Sequence, residues 1–143
     1  MTNKFEVSTL ILRVVLGISF FIHGLAKFQG GIENIVGWFD SIGLPGFLAY
    51  GVALIEVVGG IALVIGLGSR IAAGLIALVM IGAIIKVKLS ISFLGNGQMA
   101  GYELDLAFLA MAIAIAINGS RMFAIDQLFF KGQNNKSENS KTV

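Results

Sequence analysis

Eight ionisable side chains interrupt or border the apolar stretches of this chain: Arg13, His23, Lys27, Glu56, Lys86, Lys88, Glu103 and Asp105. A carboxylate taken out of water must pair with a cation or take up a proton, so such groups are candidates for proton transfer. At roughly 100° per residue, with Arg13 as zero, Gly17 lies near 40°, Gly24 near 20°, Lys27 near −40° and His23 near −80°. Basic residues and glycines thus share one side, while Leu12, Val15, Ile18 and Ile22 cover much of the rest and can meet lipid. Glu56 has Gly59 and Gly60 one turn later, and small residues let helices approach closely. It is expected inside the bundle near mid-depth, with Arg13 as the nearest basic candidate. Glu103 lines up with Ala107, Ala110 and Ala114, and Asp105 falls about 200° away on the same wheel. An outer cluster of Glu103 with His23 or Lys27 is therefore expected, with Lys86 and Lys88 at similar depth. The competing reading is structural. Buried ion pairs can fix helix register without doing chemistry, a lone histidine is more often packed than a ligand, and Lys88 and Asp105 read as interfacial anchors.

The chain that must position these groups has 143 residues, 57% hydrophobic and 13% charged. Soluble domains average about 45–50% and about 25%, so this chain needs a bilayer to cover its apolar surface. Cysteine is absent, which excludes disulfides and cysteine-ligated clusters, and one histidine excludes bis-histidine haem within one chain. A net charge of +2 gives no reason to expect nucleic acid. Lys4 ahead of an apolar run could open a signal peptide, but that run is about 20 residues long and no small-x-small cleavage site follows. It is read as an uncleaved first span.

Four spans are predicted, from about Val7 to Leu25, Phe47 to Leu67, Ile71 to Leu89 and Tyr102 to Ile117. The third has 15 uncharged residues before Lys86, and its lysines must snorkel to the surface. The fourth is short and must carry Glu103, and with it Asp105, at or below the membrane surface. Between the first two spans, Ile32, Ile35, Val36 and Phe39 recur at helical spacing beside Trp38. This suggests either a short amphipathic helix in the interface or an ordered loop capping the bundle; Gly43-Leu44-Pro45-Gly46 then breaks the chain. Lys4, Arg70, Arg121, Lys131, Lys136 and Lys141 fall on one side against Lys27, Lys86 and Lys88 on the other. The positive-inside rule then places both termini in the cytoplasm of a multi-pass cell-membrane protein. The fold expected is all-α, an integral membrane four-helix bundle over residues 1–130 with a short interfacial helix between spans one and two. Residues 131–143 form a polar cytoplasmic tail expected to be disordered.

The ordered set of Arg13-x3-Gly17, His23-Gly24-Leu25-Ala26-Lys27, Ile55-Glu56-Val57-Val58-Gly59-Gly60 and Gly68-Ser69-Arg70 resembles the DoxX family of small membrane proteins. Glu103 at the start of the last span, and Asn118-Gly119 followed by Ala124-Ile125-Asp126, extend the resemblance from about residue 8 to 128. It implies a four-helix membrane protein of a kind labelled as oxidoreductase, with bacterial members associated with quinone or catechol resistance and redox stress. On that resemblance a quinone is the expected cofactor or substrate, entering from the lipid between spans. His23, Lys27 and Glu103 are assigned as catalytic, the cations polarising a ring oxygen while Glu103 or Glu56 relays the accompanying proton. The deeper Arg13 and Glu56 are assigned to cofactor contact. Electrons would come from a redox partner protein or bound cofactor, and a homo-oligomer is a further expectation. The alternative is a non-catalytic membrane module that binds or transports a small solute or anchors a soluble enzyme.

Overall fold

A computed structural model of the protein describes residues 3–129, and among these it is all-helical apart from turns and one isolated bridge. The tail expected to be disordered lies outside the described residues. Helix α1 runs Lys4–Gln29, α2 Ile32–Ser41, α3 Leu48–Ile65, α4 Ser69–Ala83 and α5 Glu103–Asn118. A single π-helical turn, Ile84–Lys88, prolongs α4. The Asn3 side chain caps α1 by accepting from the Phe5 amide at 3.1 Å, with Glu6 in the first turn opposing the helix dipole. Helix α3 stops at Gly66, whose φ of +75° is left-handed and reverses the chain toward α4.

Helices α1, α3 and α4 with its π-turn are long and apolar enough to cross a membrane. Helix α5 packs beside them as the fourth member of the bundle, but its 16 residues reach only about 24 Å against a hydrocarbon core of about 30 Å. The expected order of four long helices with a short one after the first is what the chain adopts. Of the four predicted spans, three have spanning length.

Two helices of the bundle touch backbone to backbone. A β-carbon on Gly17 would meet the Gly60 carbonyl at 2.7 Å, one on Gly60 the Phe21 amide at 2.6 Å, and one on Gly24 the Val57 amide at 2.8 Å. Antiparallel α1 and α3 are therefore zipped through glycine, the device that close helix association in lipid requires. On the other side α4 packs on α5 through buried Ala72, Ala73, Ala77, Ala112 and Ile115, and Leu16, Phe20, Leu63 and Ile76 fill the centre. Val15, Ile18 and Ile22 face outward as expected, while Leu12 packs against the core. Leu54, Val58, Ile71, Leu78 and Ile117 are also exposed, giving an apolar exterior suited to lipid.

The glycine zipper sets the register, and the register corrects one expectation. Gly17 lies level with Gly60 and Gly24 with Glu56, so Arg13 falls level with Gly66, about ten positions and about 15 Å along α3 from Glu56. The expected Arg13–Glu56 pair does not form. Arg13, only 1% exposed, donates to the Phe123 carbonyl at 2.9 Å and the Ser120 hydroxyl at 3.3 Å. Around it the chain after α5 is stapled to the α3–α4 turn. The Asp126 carboxylate accepts from the Gly68 amide at 2.9 and 3.1 Å, the Ile125 amide donates to the Ile65 carbonyl, and Arg70 caps α5 through the Ala116 carbonyl. Glu6 accepts from the Arg121 and Met122 amides. The start of α1, the α3–α4 turn and the segment after α5 thus share one end of the bundle, which we call the terminal end.

Candidate functional site

At the opposite end, Gly24 sits against Glu56 and leaves room one turn further on for Lys27. Its ammonium donates to Glu56 Oε2 at 2.6 Å, with the Glu56 side chain 5% exposed and that of Lys27 24%. This pair joins α1 to α3. A second ion pair joins the π-turn to α5: Lys88 Nζ lies 3.7 Å from Asp105 Oδ2 and donates to the Ala100 carbonyl at 2.9 Å. Asp105 Oδ2 itself is buried and accepts no hydrogen bond.

Both pairs stand in the wall of one cavity of about 730 Å³. Helix α1 contributes Phe20, His23 and Lys27, α2 contributes Trp38 and Phe39, α3 contributes Val52 and Glu56, and α5 contributes Leu104, Asp105 and Phe108. Met80, Ala83, Lys86 and Lys88 come from α4 and its π-turn, and Ala100 and Gly101 from the loop that follows. The Phe20 and Phe108 rings meet edge to face at 5.3 Å, and His23 lies 6.2 Å from both. Volume and lining match the usual small-molecule site, mostly apolar and aromatic with a few polar groups fixed in place. The π-turn, closed by the Leu89 amide donating to the Ile84 carbonyl at 2.9 Å, redirects the chain where Lys86 and Lys88 meet the cavity; such turns recur at functional sites. The loop beyond it is ordered by Asn96, whose side chain accepts from the Gln98 and Met99 amides, and by Ser92, whose hydroxyl donates to the Gly95 carbonyl.

Of the eight ionisable groups singled out in the sequence, the cavity gathers six, His23, Lys27, Glu56 and Lys86 together with Lys88 and Asp105, which had read as interfacial anchors, and leaves two aside. Arg13 belongs to the staple at the terminal end. Glu103 is exposed and outside the lining, so the expected pairing of Glu103 with His23 or Lys27 does not occur. The interior stripe of α5 is Asp105, Phe108, Ala112 and Ile115, at helical spacing, rather than the alanine stripe that carries Glu103. Alanine suits a tight helix contact, but the interior here is partly a cavity, which an acid and a phenyl ring line better. The signal that favours Asp105 is its spacing of three from Phe108 and seven from Ala112. Helix α2 forms as the periodicity predicted, and its buried Phe39 and half-buried partners close the cavity from the side. Among the described residues no group of three or more His, Cys, Asp or Glu is placed to hold a metal ion.

The DoxX family model matches residues 8–89, more than half of the chain and all of α1 to α4 save the first turn. The chain belongs to the DoxX family. A Bacillus subtilis protein named "Putative oxidoreductase CatD" is 49% identical over 135 residues, covering 94% of this chain and 96% of its own. An uncharacterized Haemophilus influenzae protein is 32% identical, over 84% of this chain and 89% of its own length. The uncharacterized membrane protein Rv3486 of Mycobacterium tuberculosis is 29% identical, over 87% and 82%. No solved structure matches the chain. The residues that carried the resemblance divide by place in this fold. His23 to Lys27 and Glu56 build the cavity end, Gly17 and Gly60 the zipper, and Arg13, Gly68 to Arg70 and Asp126 the staple.

Proposed function

We propose that this DoxX protein is a quinone-linked oxidoreductase, or the membrane subunit of one, acting in quinone, catechol or redox-stress resistance. It sits in the cell membrane with the terminal end facing the cytoplasm. The observation that carries the reading is the cavity: apolar and aromatic walls, with two ion pairs and a histidine fixed in the lining. The ring of a quinone is apolar on its faces and accepts hydrogen bonds only at its oxygens, which is what those walls and cations offer. Conversion to the hydroquinone consumes two electrons and two protons. The electrons come from the redox group of a partner protein. Lys27 and His23 donate hydrogen bonds to a ring oxygen, and Glu56, held beside Lys27, passes a proton toward it. Asp105, with a buried oxygen that accepts nothing in the folded chain, takes the relay role first expected of Glu103.

The chain has one tryptophan, Trp38, and it lines the cavity. A short-chain quinone added to purified protein therefore quenches Trp38 fluorescence saturably, and Ala83→Phe, which fills the cavity, removes the saturable part. Quenching that rises linearly with quinone, or that Ala83→Phe leaves intact, counts against the reading. The runner-up, a non-catalytic membrane module, draws on the fact that each ion pair ties two separate segments together, as a purely register-fixing pair must. It predicts a stable soluble partner on purification and no response of Trp38 to quinones.

A further inference from the structure

The cavity is not neutral. Of the five Lys, Glu and Asp side chains in its lining, three are ammonium groups (Lys27, Lys86, Lys88) and two are carboxylates (Glu56, Asp105). The ion pairs cancel the charges two by two, Lys27 against Glu56 and Lys88 against Asp105. Lys86 is left over: exposed at the edge of the cavity, it makes no ion pair and donates no hydrogen bond among the described residues, and its neighbours in the lining are mostly apolar and aromatic. With Lys27 and His23 serving the two ketone oxygens, a neutral ring leaves this third cation without an acceptor. It is well matched by an anionic oxygen, because a hydrogen bond to an ionised acceptor is roughly twice as strong as one between neutral groups. The apolar walls select a flat ring body over a hydrated inorganic anion.

From this we infer that the site prefers rings bearing an ionised hydroxyl, with Lys86 as the residue that reads the charge. The inference rests on the proposed function, since it presumes a quinone-type ring in the cavity, and it narrows the substrate class from quinones in general to anionic hydroxyquinones. The ring lies against Phe20 and Phe108, the phenolate oxygen faces Lys86, and the ketone oxygens face Lys27 and His23.

Two probes of nearly equal size test it: 2-hydroxy-1,4-naphthoquinone, which is ionised at neutral pH, and its neutral 2-methoxy ether. Each is titrated against Trp38 fluorescence of the full-length protein in phosphatidylcholine nanodiscs. The hydroxy compound is expected to bind about tenfold more tightly. Lys86→Gln brings the two within about twofold of each other, whereas Arg121→Gln, at the terminal end, preserves the ratio. Equal affinities in the parent protein, or a ratio that survives Lys86→Gln, overturn the inference and leave the cavity a site for neutral rings. If neither compound binds, the proposed function itself fails and takes the inference with it. Acidic headgroups are the competing source of an anion for Lys86. A ratio unchanged when a third of the lipid is phosphatidylglycerol supports the inference, and a ratio abolished by it identifies Lys86 as a headgroup anchor and overturns it.

Discussion

Lys27 and Glu56 illustrate how two side chains can hold a site and a fold together. Glu56 sits almost fully buried in the middle of an apolar helix, and its charge is tolerated because an amine stands 2.6 Å away. Removing the amine alone leaves that charge stranded, which in buried pairs costs about 3 kcal/mol. Lys27→Met should therefore lower stability by about 3 kcal/mol, read as a shifted midpoint in denaturant titration of the detergent-solubilised protein. The pair replaced together, Lys27→Met with Glu56→Leu, should recover most of the loss; a double variant no better than the single one would show that the ammonium does more than neutralise Glu56. Arg13 poses a milder case. Its guanidinium holds the Phe123 carbonyl and the Ser120 hydroxyl, so Arg13→Met loosens the segment after α5. The expected cost is about 2 kcal/mol, with faster proteolysis near residue 122 and quinone binding at the far end retained.

Among the helices, the contact between α1 and α3 is the least forgiving, because it is made by backbone atoms that cannot rotate away. A methyl group at Gly60 would sit 2.6 Å from the Phe21 amide and 2.7 Å from the Gly17 carbonyl. Gly60→Ala must push the two helices apart and should destabilise by about 1–3 kcal/mol, the usual range for overpacking. Gly74, on α4, has nothing within 4 Å of such a methyl. Gly74→Ala should be neutral or stabilising by up to about 1 kcal/mol, since alanine is the better helix former. Thermal melts of the two variants side by side measure the contrast, and equal melting temperatures would mean that the zipper is softer than its geometry. Displacing α1 from α3 also separates Lys27 from Glu56, so Gly60→Ala should weaken quinone quenching of Trp38 although it lies outside the cavity.

As a whole the molecule is polar at its two ends and apolar around its girth, and the ends differ in kind. The terminal end is tightly hydrogen-bonded, through Glu6, Arg13, Arg70 and Asp126. The other end is open, with the cavity, helix α2 and the loop after the π-turn. Orientation can be read directly because the chain has no cysteine of its own. A cysteine at Asn96 should react with a membrane-impermeant maleimide in intact cells, and one at Arg121 only after permeabilisation. The opposite labelling pattern would invert the topology and place the cavity end of the bundle on the cytoplasmic side.

Much of this was legible in residue order alone. The long apolar runs, the break at Pro45 and the grouping of Arg13, Gly17, Gly24 and Lys27 on one face of α1 follow from composition and the 3.6-residue repeat, which act within a single helix. Partners across helices were another matter. A helical wheel says which residues share a face but not the height at which that face meets its neighbour. The contact of Gly17 with Gly60 sets that height, and with it the choice of Lys27 rather than Arg13 for Glu56. Rotation about the α5 axis was likewise beyond the wheel: the alanine stripe favoured Glu103 as the inward acid and left Asp105 as an interfacial anchor. Packing of Ala112 and Ile115 into the core turned Asp105 inward. The sequence by itself determined a membrane-embedded helical chain with ionisable groups along its helices. Only the tertiary structure decided which of them surround one cavity, because that depends on helix register and rotation, fixed by contacts far apart along the chain.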